Sequence, residues 1–217
     1  MANKIVLIGG GGHCKSILDT LNSSFDYEDI FISDPRLKLG TEINGAIVAG
    51  GDEVLPELLN QGVKYAFVTI GSVGNRESIE LRRDLYCKAK ALGYQIPNVI
   101  DRTAIVSESA KLSEGIFIGK RAVVNADVDL GTMAIINTGA IVEHECVVGG
   151  FSHISIGVVL AGGVNIGDNT FIGAGTTVIQ DLYIGKNSVI GAGALVNKCV
   201  PDNCKAVGIP VRIIKQM

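Results

Sequence analysis

The sequence predicts an α/β domain resembling half of a dinucleotide-binding fold over residues 1–97, followed by a three-sided parallel β-solenoid over residues 98–217. Three observations predict this. An aliphatic side chain recurs at every sixth position from Ile100 to Val196, a glycine run follows the first apolar strand, and strand and helix patterns alternate before the six-residue period begins.

The period runs Ile100, Val106, Leu112, Ile118 and onward to Ile184, Ile190 and Val196 with no insertion. Six residues advance an α-helix by about 1.67 turns and would scatter these side chains around it. A flat strand of the same period would need apolar residues at i+2, where Glu108, His144 and Asp168 stand. A coil of short strands that turns a corner after each hexad satisfies both constraints. Small or β-branched residues at i+4, such as Ala122, Ala140, Ser152 and Thr176, supply a second inward position. Glycine at i+1 (Gly119, Gly131, Gly149, Gly167, Gly173), alternating with Asn125, Asn137 and Asn197, marks the expected place of the strained or left-handed corner backbone. Three sides close a coil of eighteen residues, so residues eighteen apart stand above one another at a spacing of about 4.8 Å.

In the first domain, Lys4–Ile8 is an aliphatic strand that runs into Gly9–Gly12. A helix is expected from His13 to Leu21, a second strand from Ile30 to Ser33 ending at Asp34, and a helix near Glu53–Leu59. A strand near Tyr65–Ile70, a turn at Gly71–Gly74 and a helix from Arg76 to Leu92, stopped by Gly93, complete the alternation. The glycines let backbone amides approach a phosphate at the positive end of the first helix. Asp34 stands where a carboxylate meets ribose or sugar hydroxyls. Half of a dinucleotide fold argues for one nucleotide, and a purely structural turn is the competing reading.

The totals narrow the class. A net charge of −3 without a basic stripe excludes nucleic acid as a partner, and no apolar run nears the roughly 20 residues that span a bilayer. Met1-Ala2-Asn3-Lys4 leads into a strand with no signal-peptide pattern, so a cytoplasmic protein is expected. Five cysteines without CxxC spacing indicate neither a disulfide framework nor a zinc knuckle, and Cys146, at an i+4 position, reads as a small core residue.

The hexads resemble the [LIV]-G-x-x-[STAV]-x repeat of the left-handed β-helix acyltransferases, over the whole second half of the chain. That resemblance implies a left-handed coil, against the usual right-handed crossover, and a homotrimer. Gly11-Gly12-His13-Cys14-Lys15 resembles the G-x-G-H-x-K/R turn of the sugar acetyltransferases similar to the UDP-N-acetylbacillosamine-pathway N-acetyltransferase, with sialic acid O-acetyltransferases as relatives. It implies a nucleotide sugar held by Gly12, His13, Cys14, Asp34 and Gly71, with Cys14 replacing the family's Gly or Ala.

The segment from Asn137 to His153 resembles the catalytic stretch of the same subfamily, including His144-Glu145 and Phe151-Ser152-His153. His144 is at i+2, an outward position. A histidine, with an ordinary pKa of about 6.5, is neutral at working pH and can still accept the proton that an attacking amine releases. By resemblance His144 is the general base and Glu145 orients it. The same resemblance implies that His153 contacts acetyl-CoA near the thioester and that Gly162 gives a backbone N–H to the acetyl carbonyl. Gly162 is eighteen residues from His144, hence one coil above it. His153 is nine residues on, half a coil away, so a site using both histidines needs a neighbouring subunit. The stacked Ala174 and Ala192 are candidate amide contacts for the pantetheine arm. Gly208-Ile-Pro-Val-Arg212 resembles the G-x-P-A-[KR] tail, which would bring Arg212 to the coenzyme phosphates.

These readings predict an acetyl-CoA-dependent N-acetyltransferase acting on the amino group of a UDP-linked amino-dideoxy sugar, by direct attack in a ternary complex. No Ser or Cys is placed outward beside His144, so no covalent acyl-enzyme is expected. O-acetylation of a sialic acid is the alternative. A zinc hydratase on the same solenoid would need three converging histidines, and the solenoid has two, so no metal is expected. A purely structural solenoid has no use for the His144-Glu145 segment.

Overall fold

The computed structural model describes residues 3–72 and 74–216. In the first domain β1 (Lys4–Ile8) is the central strand, followed by α1 (Gly12–Ser24), β2 (Asp29–Ser33), β3 (Glu42–Ile43) and β4 (Ala46–Gly50). A short helical turn at Asp52–Val54 leads into α2 (Leu55–Asn60), β5 (Tyr65–Val68) and α3 (Arg76–Leu92). The sheet order is β3-β4-β2-β1-β5, parallel except for the β3–β4 hairpin. That hairpin was not anticipated, because β3 is too short to show alternation. Its signal was the Asn44-Gly45 pair, which turns with φ of 46° and 85°. Asn75 caps α3 by accepting from the Ser78 N–H at 3.0 Å, and Gly93 ends it in the left-handed region. No side chain caps α1 and no acidic residue stands in its first turn.

Between residues 99 and 196 the chain forms seventeen two-residue strands, each ending on a hexad aliphatic. They build three parallel sheets whose register advances by eighteen residues, as in Ile118 beside Ile136 beside Ile154. The hexad residues from Ile118 to Val196 are at most 1% exposed, and Ala122, Ala140, Ser152, Thr170, Thr176 and Ser188 fill the gaps between them. Each buried aliphatic contributes about 1.5–3 kcal/mol relative to an exposed one, so the repeat itself is the stabilising element.

The corners lie elsewhere than expected. Positive φ recurs at i+3, from Arg121, Asp127 and Met133 through Glu145 and Phe151 to Asn187 and Gly193. The i+1 glycines serve coil stacking: a Cβ on Gly167 would stand 2.4 Å from the Lys186 nitrogen, and one on Gly173 2.4 Å from that of Ala192.

Residues one before each aliphatic point outward, and the three columns differ. Val99, Phe117, Ile135, His153, Phe171 and Val189 form the face that carries the first domain, with Val99, Phe117 and Ile135 in one apolar cluster with Ile5, Leu7, Cys14 and Ile17. On α3, Arg82 is 1% exposed and donates to the carbonyls of Phe151 at 3.0 Å and Met133 at 2.5 Å. Arg83 reaches Asn169 Oδ1 at 2.7 Å and lies over the Phe151 ring. Buried Asp101 accepts from Thr20 at 2.9 Å and Lys120 at 3.2 Å, tying α1 to the solenoid. Among the described residues no helix is long and apolar enough to cross a membrane.

Candidate active site

His144 and Glu145 occupy the corner between the strands Ile141–Val142 and Val147–Val148. The coils below and above fix this corner: Glu145 N donates to Ala126 O at 2.9 Å, and Gly163 N donates to His144 O at 2.9 Å. Glu145 has φ of 59°, and its carboxylate stands 3.1 Å from His144 Nδ1. Both side chains are open to solvent, 59% and 72% exposed. With Nδ1 engaged, Nε2 is the nitrogen left to exchange a proton. A Cβ on Gly162 would lie 2.5 Å from His144 Cε1 and 2.6 Å from Nε2, so only glycine leaves room above the ring. The Gly162 N–H has no partner among the described residues. An acceptor for a proton and a donor for an oxyanion thus stand on adjacent coils. Cys146, two residues on, is fully buried, donates to Ala161 O at 3.1 Å, and has its thiol pushed up to about 11 by burial. It is core, as its position in the hexad predicted.

A cleft of about 540 Å³ opens in the first domain, lined by Gly9, Gly11, Gly12, His13, Asp34 and Gly71 together with Arg36, Asp52, Thr69, Leu81 and Leu85. Four of the five expected nucleotide-sugar residues are there; Cys14 is not. One residue beyond His13 the helix turns Cys14 inward, where it is 1% exposed against Ile17 and Leu18, and burial raises its thiol to about 11. Asp34 is 2% exposed and accepts from Gly10 N at 2.8 Å, Arg36 N at 2.9 Å, and Arg36 Nε and Nη2 at 3.1 and 2.9 Å. Hydrogen bonds from the Arg36 guanidinium hold its carboxyl well below the usual range. Its acceptor positions are filled by the chain, so Asp34 shapes the glycine turn and aims Arg36 rather than waiting for a hydroxyl.

His13 packs edge-on to Phe117, with ring centroids 5.2 Å apart, and its centroid lies 6.2 Å from that of His153. Its Nε2 is buried without a partner among the described residues, and desolvation, with His153 and Arg82 nearby, lowers its pKa to about 3. His153 is buried too. It is 6% exposed beneath the first domain, donates from Nδ1 to Ser72 O at 2.8 Å, and has Nε2 3.2 Å from the Asn137 amide. Burial, then Arg82, lowers its pKa to about 4. The first domain covers this face of the solenoid, which differs from the face that leads to His144.

Within one chain the structure brings His144, Glu145 and Gly162 together at one corner. Gly12, His13, Asp34 and Gly71 gather with His153 nearby, over a different face. Ala174 and Ala192 stack at the corner that follows that face, and Arg212 lies exposed on the last strand, Arg212–Gln216. Arg36, Asp52 and Arg82 were missed. Arg36 could have been found from its place two residues after Asp34; burial of Arg82 had no signal in a single sequence. Among the described residues no group of three His, Cys, Asp or Glu could hold a metal ion.

Residues 4–81 match the PglD N-terminal domain family, and residues 163–198 match the bacterial transferase hexapeptide (six repeats) family. Among solved structures, the chain is similar to perosamine N-acetyltransferase from Caulobacter crescentus in complex with CoA and GDP-perosamine. Identity is 36%, the TM-score is 0.87, and 99% of each chain is covered. A single-histidine mutant of the same enzyme, with the same two ligands, aligns at a TM-score of 0.89. The acetyltransferase domain of PglB from Neisseria gonorrhoeae in complex with acetyl coenzyme A is 32% identical, with a TM-score of 0.88, over 99% of this chain and 100% of that one. Comparison with curated proteins gave no match.

Proposed function

Because the chain belongs to the hexapeptide-repeat sugar acetyltransferases, with a PglD-type domain seated on a left-handed β-helix, we propose that it moves the acetyl group of acetyl-CoA onto the amino group of a nucleotide-linked amino sugar. The observation that carries this reading is the corner where Glu145 engages His144 Nδ1 at 3.1 Å and Gly162 leaves the space above the ring empty. The sugar amine attacks the thioester carbonyl directly. His144 Nε2 takes the proton the amine loses, Glu145 holds the ring and stabilises the imidazolium, and the Gly162 N–H supports the oxyanion. Collapse expels the coenzyme thiolate, which the imidazolium can reprotonate. The perosamine relative at 36% identity favours an amine over a hydroxyl acceptor.

The nucleotide sits at the glycine turn, where the uncapped N-terminus of α1 offers amides to the diphosphate. Ala174, Ala192 and Arg212 are the proposed coenzyme contacts. The nucleotide cleft and His144 occupy different parts of one chain, so the reaction uses a cleft and a corner from adjoining copies of a homotrimer. The outward column Ile105, Val123, Ile141, Val159 and Leu195 supports this assembly. Apart from Thr177 it is apolar, it is uncovered by the first domain, and it leads into the His144 corner, with Ile105 66% exposed. The third column, Lys111, Asp129, Val147, Asn165 and Tyr183, is more polar. The enzyme acts in the cytoplasm.

Coenzyme release from acetyl-CoA in the presence of nucleotide-linked amino sugars tests the proposal. His144→Ala should lower kcat by about 10²–10⁴-fold with the oligomer intact. Unchanged turnover in that variant would overturn the role of His144. Ile141→Arg should shift the trimer to smaller species on gel filtration and abolish activity; an active monomer would remove the shared site.

A further inference from the structure

The nucleotide cleft carries a carboxylate that the acetyl-transfer chemistry does not use. Asp52 follows β4, and the sheet order places β4 next to β2 and β2 next to β1. At about 4.8 Å per strand, the carboxyl ends of β1, β2 and β4 step across about 10 Å. They run from the glycine turn that suits a diphosphate, past Asp34 and Arg36, to Asp52. A nucleotide laid along that path puts its phosphates at Gly11 and Gly12 and its base at Asp52.

Asp52 is held, yet it has acceptor capacity to spare. One oxygen accepts from Ser33 Oγ at 3.1 Å, a hydroxyl on a side chain that is 1% exposed. The other stands 3.8 Å from Lys88 Nζ, too far for a hydrogen bond, and the side chain is 29% exposed. The Arg36 guanidinium, fixed in a fork on Asp34 and 76% exposed, lines the same cleft and offers a flat cationic face for a base to stack on. Leu81 and Leu85 add apolar surface.

An ionised carboxylate only accepts. Guanine presents N1–H and N2–H2 side by side, two donors that match its two oxygens. Uracil presents one N–H flanked by carbonyl oxygens, and cytosine and adenine present an amine beside a ring nitrogen whose lone pair opposes a carboxylate. We infer that Asp52 reads the base and selects guanine, so that the acceptor is a GDP-linked amino sugar rather than the uridine nucleotide implied by the sequence resemblance. This rests on the nucleotide-sugar reading of the cleft and extends it to the base.

Titration calorimetry of the full chain with GDP, IDP, UDP and CDP tests it, because IDP keeps N1–H and lacks the N2 amine. The wild-type protein should bind GDP about tenfold or more tighter than IDP, and tighter again than CDP. Asp52→Asn exchanges one acceptor for a donor. It should weaken GDP by about tenfold and strengthen CDP, whose amine and ring nitrogen match an amide. A gain for CDP cannot come from a damaged fold. Equal affinity for GDP and IDP, or a uniform loss across all four nucleotides in Asp52→Asn, would overturn the assignment while leaving a nucleotide-binding cleft in place. Failure of the wild-type protein to bind any of them would overturn both.

Discussion

Gly162→Ala isolates the reacting corner from the rest of the molecule. The added Cβ would stand 2.5 Å from His144 Cε1 and 2.6 Å from Nε2, so the ring must recede by about 0.9 Å to recover an ordinary 3.4 Å contact. Gly162 is not among the residues with positive φ, so alanine fits the backbone, and His144 is exposed enough to swing away without disturbing the core. The displacement is therefore spent on the base. A shift of about 1 Å in a catalytic group costs roughly 100-fold in rate, or about 2.7 kcal/mol of barrier. Steady-state assays should show kcat reduced by about that factor, with KM for the nucleotide sugar unchanged and the melting temperature within about 3 °C of wild type. In a His144→Ala background the ring is gone, so the same alanine should add less than about threefold. Turnover of Gly162→Ala within about threefold of wild type would show that the space above His144 is not where the acetyl group reacts.

The domain interface should loosen in acid. His153 is buried neutral with its pKa lowered to about 4, so its contribution is complete above the ordinary value of 6.5 and is lost as pH falls from there toward 4. Melting scans from pH 7 to 4.5 should show a decline that His153→Gln reduces; an identical slope would remove His153 as its source. Gly167→Ala, whose Cβ would meet the Lys186 nitrogen at 2.4 Å, should cost about 3 kcal/mol and lower the melting temperature by about 6–12 °C. A melting point unchanged by that alanine would show that the coils can spread. Glu145→Gln should lower kcat about tenfold without moving the KM for acetyl-CoA. Glu145→Gly should lose at least as much activity while gaining up to about 1 kcal/mol of stability, read by urea unfolding, because glycine relieves the positive φ.

The hexad aliphatics were legible because each faces a geometric demand that allows no substitute. Ile136, Val142 and Ile154 must fill the prism interior, and one polar residue there would be buried without a partner. The glycines of the i+1 column were equally visible but misread, since Gly167 in a sequence does not say whether φ or a neighbouring coil demands it. A list of residues carries no third dimension, and the conflict at Gly167 is with Lys186, nineteen positions later. The same limit hid the seat of the first domain. Phe117, Ile135 and Phe171 precede their aliphatics just as Lys111 and Asp129 do, and only the fold shows which column is covered. His153 was placed near chemistry on motif alone, and Arg82 was passed over as one charge among several on a surface helix.

The corners show where this chain accepts cost for contact. Of the thirteen left-handed i+3 positions between residues 121 and 193, five are the glycines Gly139, Gly157, Gly163, Gly175 and Gly193, which meet the conformation freely; Asn and Asp fill four more, Asp127, Asn169, Asp181 and Asn187, at little cost. Met133, Phe151, Glu145 and Arg121 are different, because each holds a long or bulky side chain where the backbone disfavours one by about 1 kcal/mol or more. Met133 and Phe151 pack against the first domain and give their carbonyls to Arg82. The Glu145 side chain is 72% exposed, and its carboxylate stands 3.1 Å from His144 Nδ1. Strain retained for packing explains Met133 and Phe151. Arg121 adopts the same conformation while exposed, so strain alone does not mark a catalytic corner; in the proposed mechanism the Glu145 corner has a further use, because it holds the carboxylate 3.1 Å from the imidazole.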